Sequence, residues 1–259
     1  MEPDPDRIRR VVLGLPEVGL RVEWLRDYLT TTPNGRAARE LERLCEASER
    51  SDPEARETVL ALALLFARHG DLAFVHALRR CAEAEHLLSL GRLLRRAPAP
   101  PRSVPPPEVA PVPDYGTGRE LTVGERRSLA RAPNRKAFEK LLIDPHPLVI
   151  RQLLENPRLT EDDVVRIVAR RPVRPEAITA IARSERWLKR PRVRLAILLN
   201  PGSPPAVAMP LLAACTRQEL LEILHGTDTS KVLRVTAREL FARRPPLHEP
   251  DLADRITLQ

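Results

Sequence analysis

Between residues 166 and 194 the chain sets Arg166, Arg170, Arg171, Arg174, Arg183, Arg186, Lys189, Arg190, Arg192 and Arg194 against only two acids, Glu176 and Glu185. A guanidinium stays charged at any physiological pH and presents a planar fork of N–H donors that matches carboxylate and phosphate. The chemistry on offer is therefore the binding of anions. Trp187 lies inside the cluster, where a guanidinium can stack on its ring. Three readings are open: a solvated outer face, a face for an acidic protein surface or peptide, and a phosphate-binding face for nucleic acid. Of the eight aromatic residues in the chain only Trp187 falls here. Single-strand binders interleave several aromatics, so Trp187 reads better as a packing anchor between helices than as a base-stacking platform.

Other reactive residue types do not assemble into a catalytic set. There is no glycine-rich phosphate loop, no Gly-x-Ser-x-Gly elbow and no His-Glu-x-x-His. His76, Cys81 and His86, with His69 upstream, are the best metal candidate. A spacing of five turns a helix by about 140°, so these side chains do not share a face, and no metal or cofactor is expected. Glu161-Asp162-Asp163 directly follows Thr160, where acids in a first turn complement the helix dipole. No enzymatic residue is nominated.

Such side chains need elements to hold them, and the composition supplies helices. Leu, Ala, Arg and Glu dominate, aromatics are 3%, and no window alternates as a half-buried strand does. Ten Gly stand against 27 Pro, so the prolines belong at helix starts, after helix ends or in linkers. Ile8, Val11, Val12 and Leu15 form one helical stripe, and Val18, Val22, Leu25 and Leu29 form another, with Trp24 and Tyr28 one turn apart. A third helix runs through Leu41 and Leu44. A fourth starts at Asp52-Pro53-Glu54, with Asp52 as cap, and continues apolar on nearly every face, so it should form a buried centre. Two more follow, around Leu72 to Cys81 and His86 to Leu94.

Eight prolines between Pro98 and Pro113 interrupt the helices. The run favours extended polyproline II, and Pro98-x-x-Pro101 carries the spacing that Pro-reading domains dock, though any such run contains it by chance. The expected organisation is an N-terminal helical domain (1–96), a Pro-rich linker (97–118) and a C-terminal helical repeat domain (119–259). Past the linker the chain echoes itself. Pro147-LVIRQLLEN-Pro157 and Pro191-RVRLAILLN-Pro201 match, the Asn being read as a left-handed helix stop before a proline. Thr122/Glu125, Thr160/Asp163 and Thr216/Glu219 have capping-box spacing. Helices this short persist by stacking on neighbouring units.

With a period near 40–44, short helices split by Asn-Pro and Thr-headed caps, residues 119–243 resemble HEAT/armadillo-type α-solenoids. LLENPRLTEDDVVRIVARRP…RVRLAILLNPGSPPAVAMPLL is most similar to the leucine-rich-repeat-variant branch, and to a group of uncharacterised bacterial proteins with the same Asn-Pro phrase. The resemblance implies an all-α solenoid with an extended binding surface. Some HEAT-type enzymes bind iron through several His-Glu pairs, but here there is one, His248-Glu249, flanked by prolines.

The net charge is +8, and residues 1–96 carry 16 Arg and 16 acids, so the excess lies beyond them. Three widely spaced cysteines and the lack of a secretory leader point to a reducing, cytoplasmic setting. Val59 to Ala67, the most apolar stretch, is about half the ~20 residues a bilayer span needs, so no membrane role is expected. The leading expectation is a non-enzymatic scaffold that binds another protein, through an acidic surface, on the Arg-rich face. The alternative is a nucleic-acid-binding solenoid, similar in layout to HEAT-like DNA glycosylases, although no carboxylate beside an aromatic cleft can be nominated for that chemistry.

Overall fold

The computed structural model describes residues 6–69, 73–96, 111–132 and 135–245. Most of the Pro-rich run (97–110) and His248-Glu249 lie outside the described residues. Among the described residues every regular element is a helix. The first half holds α1 (Arg7–Gly14), α2 (Val18–Thr31), α3 (Asn34–Glu49), α4 (Pro53–His69), α5 (Ala73–Ala84) and α6 (Leu88–Leu93). The second holds α7 (Val123–Arg131), α8 (Arg135–Leu141), α9 (Pro147–Leu154), α10 (Glu161–Ala169), α11 (Pro175–Ala182), α12 (Glu185–Leu188), α13 (Pro191–Leu199), α14 (Pro205–Ala213), α15 (Arg217–His225) and α16 (Lys231–Arg243). No helix among the described residues is long and apolar enough to cross a membrane.

Helix starts follow local chemistry. Asp52 Oδ1 accepts the Ala55 N–H at 2.9 Å, and Pro53 opens α4 where a missing N–H costs nothing. All three Thr-headed capping boxes form, at α7, α10 and α15. In each the Thr hydroxyl takes an N3 amide while the N3 carboxylate returns to the Thr amide. Asp163 also holds Arg135, with Nη2 to Oδ1 at 2.7 Å. Burial works to raise the Asp163 pKa, but the bonds from Arg135 and Thr160 outweigh it and hold the pKa below the ordinary carboxylate value. Glu125, partly exposed, is drawn down to about 2 by Arg119 and the Thr122 cap.

Helix ends required a different solution, because ten glycines cannot close the sixteen helices found among the described residues. α3 and α5 close on non-glycine residues at positive φ, Ser51 (73°) and His86 (55°). In both, an amide bonds back five residues, Asp52 N to Ala47 O and Leu87 N to Ala82 O, the Schellman pattern. His86 thus ends α5 rather than opening α6. Elsewhere arginine reaches across to exposed carbonyls: Arg21 to Leu15 O (2.8 Å), Arg79 to Leu94 O (2.9 Å) and Arg217 to Phe241 O (2.9 Å). Such charge-assisted bonds satisfy carbonyls that a helix terminus leaves open.

The Asn-Pro phrase corrects its sequence reading. Asn200 sits at φ −84°, and Asn156 is not among the positive-φ residues, so neither is a left-handed stop. Each is instead a buried connector. Asn156 Nδ2 donates to Ala130 O (2.7 Å) and Ala132 O (3.1 Å) at the end of α7, while its Oδ1 accepts the Arg158 amide. Asn200 Nδ2 donates to Val168 O and Arg170 O at the end of α10, while its Oδ1 accepts the Gly202 amide. Turning the chain and capping an earlier helix at once needs two donors and an acceptor on one short side chain, which an amide provides. This ties α9 to α7 and α13 to α10, the pairs that also pack together.

α4 is the buried centre that its sequence indicated. It packs against α1, α2, α3, α11 and α14, and nearly every residue from Val59 to Ala67 is buried. Its contact with α14 joins the two halves, whose buried residues form one continuous core. Polar bonds stitch the same seam: Ser48 Oγ to Ala213 O (2.9 Å), Arg244 to Ser48 O (2.7 Å) and to Ala213 O (2.8 Å), and Arg95 to Glu239 (2.8 Å). Limited proteolysis should cut first within 97–118, where the sequence cannot be helical. The two fragments should nevertheless co-elute in native size-exclusion chromatography and part only in denaturant. Separate native peaks would show that the α4–α14 seam does not hold by itself.

Candidate functional site

The Arg-rich stretch is carried by four short elements, α10 to α13, with Pro175 and Pro191 heading α11 and α13. Burial of Ile167, Ile178, Trp187 and Val193 fixes these helices and turns the arginines outward or into the turns between them.

Most of the cluster is engaged within the chain. Arg166 forms a two-pronged pair with Glu139 on α8 at 2.6 and 3.1 Å. Arg171 pairs with Asp228, Arg192 with Asp162 (2.7 Å) and Lys189 with Glu185 (2.9 Å). These are exposed pairs of small energetic weight. Three others bond to backbone. Arg183 donates to Ala67 O at the end of α4 (2.8 Å), and Arg194 donates to Leu188 O and Lys189 O (3.1 and 2.9 Å). Arg186 donates to Asn156 O (3.0 Å) and Leu159 O (3.1 Å) while lying over Trp187, 4.3 Å from the ring centroid. Trp187 is 2% exposed and gives its Nε1–H to Leu154 O at 3.0 Å. It is a packing anchor for the Asn156-Pro157 turn, and its ring cannot stack on a base.

Three guanidiniums remain. Arg170, Arg174 and Arg190 make no side-chain hydrogen bond or ion pair among the described residues. Arg190 is exposed at the start of α13. Arg170 and Arg174 come together: both line a small cavity bounded by the α8–α9 loop, α9, α10 and the α10–α11 loop. Arg174 Nε is buried with no acceptor. Burial lowers the pKa of Arg170 against the pull of Asp144.

Asp144, Arg126 and Tyr115 are functional candidates that sequence reasoning missed. Asp144 is 3% exposed and accepts from Tyr115 Oη (2.8 Å), Arg126 Nη1 (2.6 Å) and the His146 amide (2.8 Å). The last bond is an Asx-turn, a pattern legible in Asp144-Pro145-His146. Burial and the Asp144 hydrogen bond raise the Tyr115 pKa, so the phenol stays a donor.

Chemically the arrangement can hold an anion. Among the described residues no group of three His, Cys, Asp or Glu could hold a metal ion, and His76 Nδ1 lies 2.8 Å from Arg96. No family matches this sequence, and no curated protein or solved structure matches it either.

Proposed function

We propose that this chain is a non-enzymatic protein-interaction scaffold: a HEAT/armadillo-like solenoid of short helices, with helical units at 1–96 and 119–259 joined by the Pro-rich run, that receives an acidic surface of another protein on its 166–194 face. One observation carries the reading. Within a stretch where seven of ten basic side chains are engaged by their own chain, Arg170, Arg174 and Arg190 form no ion pair among the described residues. A guanidinium fork matches a carboxylate as well as a phosphate, and the carboxylate is the anion that another protein's surface carries. The buried ring of Trp187 supports a protein partner over a nucleic acid, because phosphate attraction without stacking gives salt-sensitive, non-specific binding.

The test is a pull-down with and without nuclease, comparing wild type with the triple variant Arg170→Gln, Arg174→Gln, Arg190→Gln. Arg186 and Arg194 are left in place because their loss would unseat backbone carbonyls. The expected result is capture of an acidic protein that survives nuclease, weakens with added salt and disappears in the triple variant. A nuclease-sensitive capture, or a specific DNA or RNA complex tight at near-physiological salt and lost in the variant, overturns the scaffold reading.

A further inference from the structure

The cavity holding Arg170 and Arg174 has the properties of a built site. Its walls are mainly apolar, from Ile150, Ile167 and Val173, with Arg170, Arg174 and Asp144 as its charged residues. Asp144 does not neutralise the arginines in full. Its oxygens are taken by Tyr115, Arg126 and the His146 amide, and Arg126 already answers its charge. Two arginines therefore line the cavity without a dedicated counter-charge. The Arg174 Nε is buried without an acceptor, as are those of Arg126, Arg127, Arg234 and Arg244, so the terminal nitrogens of its guanidinium are the ones free to meet an occupant.

Size narrows the choice of anion. The cleft is small and partly open to solvent, about 30 Å³, against roughly 10–15 Å³ for one water on the same measure. That leaves room for the two oxygens of a planar carboxylate, with its stem toward the open mouth. A planar carboxylate, which meets a guanidinium fork edge-on with two oxygens, suits so shallow a cleft better than a tetrahedral phosphate does. Apolar walls suit the short aliphatic stem on which a side-chain carboxylate is carried, and α11 begins at Pro175, so its positive dipole end lies next to Arg174.

We infer that this cavity is a carboxylate-binding site, formed by Arg170 and Arg174 over the apolar floor of Ile150, Ile167 and Val173, which takes an acidic side chain of a partner protein. The carboxylate chemistry stands on the cavity itself, and the partner as its source rests on the scaffold reading above.

The test needs no partner. The full chain, labelled at arginine Nε, is titrated with sodium acetate and, at matched ionic strength, with sodium chloride. Arg170 and Arg174 signals, assigned through the Arg170→Lys and Arg174→Lys variants, should shift saturably with acetate alone, with half-saturation at or below about 10 mM, a modest affinity for four heavy atoms. The Arg190 signal should not saturate. Arg174→Gln should weaken binding by about tenfold or more, since half of the fork is lost, whereas Arg190→Gln should leave it unchanged. Acetylated, amidated glutamate should compete at the same signals, and acetylated, amidated glutamine should not. Overturning results are equal, non-saturating responses to acetate and chloride, or tighter binding of inorganic phosphate than of acetate. Saturable acetate binding with a failed pull-down would sink the scaffold reading while leaving the site. Absent acetate binding with a successful pull-down would do the reverse.

Discussion

Leu198→Ala should cost about 2–5 kcal/mol of stability, and Leu153→Ala a similar amount, because both side chains are fully buried and the cavity left behind cannot be refilled by water. Leu153 lies near the end of α9 and Leu198 near the end of α13, each at 0% exposure. In the Pro-helix-Asn-Pro phrase they occupy neighbouring positions: Leu153 is matched by Ile197 and Leu198 by Leu154, all four buried. The size of the loss depends on how far the surroundings collapse. α13 is held by α10, α12, α14 and α15, while α9 is held by α7, α8 and α11. Leu198→Ala should therefore sit at the upper end of the range, as its neighbours are pinned from more directions. In a chain of this length each kcal/mol lowers the melting temperature by about 2–4 °C, so the effect is plain in a thermal melt and in a shifted urea midpoint at unchanged slope. Losses below about 1 kcal/mol at both positions would mean that the two helices are not equivalent core elements.

Local determinants were readable from the residues alone. Thr122, Thr160 and Thr216 cap because hydroxyl and carboxylate three residues apart can meet nothing closer than each other's amides. Pro53, Pro147, Pro175 and Pro191 open helices because φ is preset. α4 is central because an all-round apolar helix has no face to give to water. Long-range pairings left no such trace. Ser48 meets Ala213 across 165 residues, and no spacing rule links them. Asn156 and Asn200 look locally like helix stops, since an Asn before a proline fits that role. Only the arrival of the α7 and α10 ends shows that their amides are connectors. The Arg-rich face was visible as a cluster but not as its parts. Charge density marks where guanidiniums lie, whereas the carbonyls that engage Arg183, Arg186 and Arg194 come from helix ends elsewhere in the chain. Arg170 and Arg174 differ from their neighbours only in what surrounds them, which composition does not encode.

The pair Arg92–Glu49 gives the second large effect, and it also tests how dry the interior of the first half is. Glu49 ends α3 and is 3% exposed, and Arg92 on α6 is 6% exposed. They meet in a fork, Nε to Oε1 and Nη2 to Oε2, both at 2.7 Å, with Ser89 Oγ donating to Glu49 (3.0 Å) and accepting from Arg92 (2.8 Å). Burial works to lower the Arg92 pKa, and the bond and charge of Glu49 more than reverse it. Glu42, also on α3, takes the Ser89 and Leu90 amides at 3.0 and 2.6 Å, which replaces the side-chain cap that α6 lacks. α6 has only six residues and is too short to persist alone. It is therefore held to α3 by carboxylates as well as by Leu90 and Leu93. Removing one partner strands a charge out of water, so Arg92→Leu or Glu49→Leu should each cost about 3–5 kcal/mol. Removing both leaves no stranded charge and adds apolar surface. The double variant should return to within about 1 kcal/mol of wild type or exceed it, since buried pairs seldom outdo well-packed apolar replacements. Urea denaturation of the four proteins closes the cycle, and the expected coupling is about 3 kcal/mol or more. Additive losses would refute a dry pair and shift the weight onto Ser89 and onto Arg243 of α16, whose Nε lies 3.8 Å from Glu49. If that occurred, the seam between the first half and the last helix would depend on Glu49 as an acceptor for both, and Arg243→Leu should then destabilise the chain as much as Arg92→Leu does.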